Sequence, residues 1–169
     1  HSSDVNYFLN GDFAEVIVYN TSLSSSQVRI VQAYLNAKWG LSSGSDLYDG
    51  DEAAHGSNTL DVAGVGRTLD GDAGELESAG MTLRLSSDAE AESFIMAGHA
   101  VVTNAINTSD VNGTIEERSN RAWYLTLTGD VGTANDFSFD FSDMGLSGSA
   151  GAPANYALIY RSGTAGNWS

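Results

Sequence analysis

Residues 11–41 read GDFAEVIVYNTSLSSSQVRIVQAYLNAKWGL, a strand pattern, a turn and a sharply bounded helix within the first quarter of the chain. Phe13, Ile17 and Tyr19 fall on one face of the first part, and Ala14, Val16 and Val18 on the other. Apolar residues on both faces predict a strand covered on both sides. Just upstream, Asn10-Gly11 separates two apolar runs, the pairing that tolerates the positive φ of a type I′ hairpin turn.

The second part predicts an amphipathic helix. Ser24 with Gln27 fits a capping box, and Gly40 stands where a left-handed C′ glycine would stop the helix. At about 100° per residue, Val28, Val31, Leu35 and Trp39 form one stripe. Ile30, Ala33, Tyr34 and Ala37 cover most of the remainder, leaving Arg29, Gln32 and Asn36 as a narrow polar strip. A helix that apolar is either wedged between two bodies or buried under loops of one.

Working outward, residues 42–58 (SSGSDLYDGDEAAHGSN) are rich in Gly, Ser and Asp and read as a linker. Strand patterns then recur. Met81, Leu83 and Leu85 alternate with polar residues; SFIMAGHAVV, AWYLTLTG and YALIYR are short apolar runs; Phe137, Phe139 and Phe141 alternate with Ser138 and Asp140. Strands separated by turns, with no helices between them, predict a mostly β fold. The expected architecture is an antiparallel, jelly-roll-like β-sandwich with one amphipathic helix near the N-terminus.

Composition narrows function. In 169 residues, Lys and Arg total 7 against 22 Asp and Glu, for a net charge of -15. Nucleic acid is excluded as an expected partner, because binding it requires cations that neutralise phosphates. The apolar runs are too short for membrane insertion. The chain has no cysteine, which removes disulfides, thiolate catalysis and Cys-type zinc sites. An acidic surface fits a secreted or salt-exposed protein, or one that binds divalent cations.

The segment from Gly11 to Leu41 resembles the closing strand and helix of bacterial laminin-G-like (concanavalin-A-like) jelly rolls. Ala14-Glu15-Val16, Tyr34-Leu35 and Lys38-Trp39-Gly40-Leu41 carry the likeness. Residues 61–161 are similar to the β-sandwich module that follows such jelly rolls in large adhesin-like surface proteins. Here the likeness rests on DVAGVGR (61–67), Gly98-His99, RSNRAWYLTLTGDVG (118–132) and FSFDFSDMGL (137–146). The resemblance implies a terminal hairpin, strand and helix of a jelly roll whose remainder is missing (1–41), a linker (42–59), and a β-sandwich module incomplete at its C-terminus (60–169). Trp39, Gly40 and Trp123 are expected to be structural. The implied role is a non-catalytic binding or spacing module of a bacterial secreted or cell-surface adhesin. Its expected partners are carbohydrate or another surface protein, and the missing neighbouring domain or chain. Two alternatives are an accessory carbohydrate-binding domain of a secreted polysaccharide-degrading enzyme, and an assembly subunit completed by a neighbour's strand.

The expected cofactor is calcium. LDGDAGE sets Asp70, Asp72 and Glu75 in a Gly-containing loop, where alternate carboxylates could meet one hard cation. Asp46, Asp49, Asp51 and Glu52 make a second, looser candidate, and a solvated acidic loop is the competing reading for both. His1, His55 and His99 lie far apart, and His99 reads as structural. No nucleophile elbow is present, and GVGRTLDG lacks the spacing and lysine of a phosphate loop and reads as a turn. Of the aromatics, Trp123, Tyr124, Phe137, Phe139, Tyr156 and Tyr160 are mostly assigned to the core. Arg118 and Arg121 are expected to pair with acids.

Overall fold

The computed structural model describes residues 11–111, 113, 115–147, 149–166 and 168. Among these residues, one α-helix, α1 (Ser25–Trp39), precedes nine strands: β1 (Leu60–Thr68), β2 (Gly71–Ala73), β3 (Glu75–Ser78), β4 (Met81–Arg84), β5 (Ser93–His99), β6 (Ile106–Asn107), β7 (Arg118–Ser119), β8 (Trp123–Thr128) and β9 (Asp136–Phe139). Every strand pairing is antiparallel. One sheet has the order β2-β1-β5-β8 and the second β3-β4-β9, with β6 and β7 forming a small separate ladder. The protein is an antiparallel β-sandwich carrying one helix.

Alternation builds the sandwich core. Val65, Ile95, Ala97, Trp123 and Leu125 point inward from the four-stranded sheet and meet Leu76, Met81, Leu83 and Phe137 of the three-stranded sheet. The other face of the four-stranded sheet is covered by α1. Ala33 and Ala37 pack there with Phe94, Met96 and Val62, and Ile30 and Tyr34 close the sides. The glycines of β1 permit this approach. A Cβ on Gly64 would overlap the Met96 sulfur, and one on Gly66 would overlap the Phe94 ring. Those two large side chains lie in a trough that only glycine leaves open.

The helix ends follow their local code. Ser24 and Gln27 make both bonds of the capping box, and Gly40 at φ 61° sends its N–H to Asn36. Its packing corrects the predicted faces. Ala33 and Ala37 carry the buried side, whereas Val28 and Trp39 of the predicted stripe are exposed, Trp39 at 44%. Asn36, read as polar surface, is buried because its amide donates to Ser43 at 2.8 Å and to Asp46 at 3.2 Å.

Four further expectations change. Residues 13–19 join no sheet, and Phe13, Val16 and Val18 are exposed, Val18 at 87%. Among the described residues no strand pairs with this segment. The hairpin expected at Asn10-Gly11 depends on Asn10, and Asn10 and His1 lie outside the described residues. The stretch read as a linker sends Leu47 and Tyr48 into the same cluster as α1, β1 and β5. GVGRT, read as a turn, is the second half of β1, and the turn is Leu69-Asp70. YALIYR stays outside both sheets, and Tyr156 and Leu158 are exposed.

Candidate functional site

The three carboxylates expected to meet one cation are drawn apart by strand pairing. Asp72 faces Arg67 across the β1–β2 ladder, and Arg67 Nε donates to its Oδ1 at 3.1 Å. Glu75 faces Arg84 across the β3–β4 ladder and forms an ion pair with it. Asp70 turns to the helix start, accepting from the Ser25 hydroxyl at 2.7 Å and from Thr68 Oγ1 at 2.7 Å. These bonds, with that from Ser25 foremost, hold its carboxyl below the usual aspartate range. Among the described residues, no three acidic or histidine side chains are gathered for one metal ion.

The second acidic stretch is brought together more closely. Asp46, Asp49, Asp51 and Glu52 line an open hollow of about 500 Å³ between the C-terminus of α1 and Thr126 of β8. Burial raises the Asp51 carboxyl above the ordinary range, with Asp46, Glu52 and Asp49 pushing the same way. Thr126 Oγ1 bonds to Asp49, and the His55 ring stacks on Tyr124 at 5.0 Å. The phenol of Tyr48, beneath the hollow, is raised by burial and donates to the Asn58 carbonyl at 2.7 Å. The hollow carries concentrated negative charge over a fixed floor.

A third cluster sits inside one end of the sandwich. His99 is 1% exposed, and its Nε2 meets Asp61 Oδ2 at 2.8 Å. Asp61 belongs to a β-bulge of β1 and holds φ at 48°, which turns its side chain toward the ring. Burial lowers the His99 pKa, and the charge of Arg121 adds to that against the opposing pull of Asp61. Arg121 is itself buried, and it pairs with carbonyls instead of the expected acid. Its Nη1 donates to Ala79 and Met144 at 3.2 Å each, and its Nη2 to Val102 at 3.3 Å. Arg118 does pair with an acid, donating to both oxygens of Asp110 at 2.8 and 2.7 Å. Among the described residues, Arg121 Nε has no hydrogen-bond partner. Sequence could supply Arg121 and His99 as polar residues beside strands, but not their burial against each other.

The residues expected to be structural divide. Gly40 terminates α1, and Trp123 anchors the core, its Nε1 donating to the Ser78 carbonyl at 2.8 Å. Trp39 lies on the surface and bonds Glu15 Oε2 at 2.8 Å, an oxygen that also meets Lys38 Nζ at 3.0 Å. These contacts lay residues 13–19 along the outer flank of α1. Phe13, Val16, Val18, Val28 and Trp39, expected to be covered, are exposed, as is Leu41. Phe139, Tyr156 and Tyr160 are likewise exposed and not core.

No family model matches the chain, and no curated protein or solved structure matches it either.

Proposed function

We propose that this chain is a non-catalytic module of a larger secreted or cell-surface protein, an adhesin of bacterial type, that binds or spaces through its surface. One observation carries the reading: apolar side chains along residues 13–19 and at Val28, Trp39 and Leu41 are exposed on an otherwise strongly acidic molecule. Large apolar side chains exposed in number on a charged molecule are the chemistry of a contact with another body. The buried polar groups support the same reading, because Arg121 and His99 are spent on holding loops and a bulge and do not open onto a cleft. The bound material is carbohydrate or another surface protein, and calcium enters as a stabilising ion if the acids of 70–75 regroup around it.

The test is adhesion of cells that display the chain, on surfaces coated with polysaccharides or extracellular proteins, with released sugar measured in parallel. Retention without released sugar is the expected result. Sugar release would favour an accessory role in polysaccharide degradation, and no retention on any coating would remove the binding reading.

A further inference from the structure

Sheet edges are hazards that proteins blunt with charge, brevity or bulges. Three of the four edges of this sandwich are blunted. β2 is three residues long and contains Asp72; β3 carries Glu75 and Glu77; β9 opens on Asp136 and runs into Asp140. The fourth is different. β8 is six residues long, WYLTLT, with no charge, proline or glycine. It pairs with β5 without a bulge from Trp123 to Thr128, and no described strand lies on its other side.

The chain also holds a strand-forming segment outside every sheet. Residues 15–19, EVIVY, contain three consecutive β-branched residues and one charge, and Val16 and Val18 face solvent. Within one molecule the two are kept apart. Tyr19 lies beside Gly64 and Ala73, at the β1–β2 side of the sheet, whereas β8 is the opposite edge. Glu15 is held by Lys38 and Trp39 of α1.

We infer that residues 15–19 of one copy add as a strand to the free edge of β8 in a second copy. Backbone N–H and C=O groups supply the affinity, and the face of β8 that carries Leu125 and Leu127 accepts the apolar residues, the other face being bonded to Asp49 through Thr126. Donor and acceptor are different surfaces, so the contact is head-to-tail and each copy retains one of each. Copies carrying a net charge of -15 repel one another, so added salt strengthens the association. This assembly stands whether or not the chain is an adhesin.

The test is sedimentation of the full chain across the micromolar range at low and moderate salt. It includes Leu127→Lys in β8, Val18→Lys in the segment, and Val28→Lys on α1 as a control. Association that rises with concentration and salt is expected, weakened about tenfold or more by either of the first two changes and not by the third. The two weakened variants mixed together should form a one-to-one pair, since each retains the half that the other lacks. That recovery also shows that both are folded. A monomer under all conditions overturns the inference, as do equal weakening by Val28→Lys or failure of the mixture to associate.

Discussion

Asp70 Oδ2 accepts from both the hydroxyl of Ser25, at 2.7 Å, and its backbone N–H, at 3.3 Å. The turn between β1 and β2 thereby holds the first residue of α1, where the helix dipole favours a carboxylate. Replacing Asp70 by Ala should lower the thermal midpoint and raise hydrogen exchange in the first turn of α1 before the rest. Because the bonds depress the Asp70 pKa, their contribution is complete above the ordinary aspartate value of about 3.9 and is lost as pH falls through the lower folded value. Urea midpoints of the two proteins should therefore converge at strongly acid pH.

Calcium has to compete with these bonds and with Arg67 and Arg84. Thermal unfolding in calcium should match that in magnesium at equal ionic strength. If Asp70, Asp72 and Glu75 instead regroup around the ion, a hundredfold excess over the dissociation constant adds about 2.7 kcal/mol. The midpoint would then rise by about 5–11 °C.

Phe94 and Trp39 give a direct contrast. Phe94 is completely buried beneath α1, with the Arg29 guanidinium 4.3 Å from its ring centroid, and Phe94→Ala should cost about 3–5 kcal/mol. Trp39→Ala should cost no more than about 1 kcal/mol, because the indole is on the surface. Equilibrium unfolding in urea checks both, and a large effect at Trp39 would place the helix differently.

Arg121 ties together the β3–β4 turn and the loops at 102 and 144. Arg121→Ala takes the donor from the Ala79 and Val102 carbonyls, while Met144 keeps Asn104, and should cost about 2–3 kcal/mol. Arg121→Lys should recover little of it, since one ammonium cannot reproduce a planar fork. Denaturant midpoints of the three proteins give the comparison.

His99 should make the fold acid-sensitive. Its folded pKa lies below the unfolded value of about 6.5, because burial and Arg121 outweigh Asp61. Stability from the neutral ring is complete above that value and is lost as pH falls toward the folded pKa, where the unfolded chain already binds the proton. The slope of stability against pH just below 6.5 should flatten in His99→Asn.

The parts legible in the sequence are those written locally. Ser24, Gln27 and Gly40 fix the ends of α1 through contacts within a turn or two, and the alternation at Met81, Leu83 and Phe137 places the two sheets face to face. Long-range pairing escaped because sequence spacing does not contain it. Asp72 and Glu75 are three residues apart, yet each belongs to a different ladder, opposite Arg67 and Arg84. Val16-Ile17-Val18 is as good a strand sequence as any in β5, and its state depends on what edge it meets. Leu47 and Tyr48 look like two apolar residues in a polar stretch, and only the uncovered end of the sheet beside α1 makes them core. The cluster of His99, Asp61 and Arg121 was hidden for the same reason: the bulge that aims Asp61 is a property of two strands, not one.

The position of β1 has a mechanical consequence. It is an inner strand, bonded to β5 along nearly its full length and to β2 at its end, and α1 rests on it mainly through side chains. Tension arriving through α1 would load those side-chain contacts and the Ser25–Asp70 bonds first. Beyond the helix the chain passes through Leu47 and Tyr48, buried in the same cluster, before it reaches Leu60 and β1, which is held between two neighbours. The covering layer and the inner strand are thus joined in series along the chain, α1 ahead of β1.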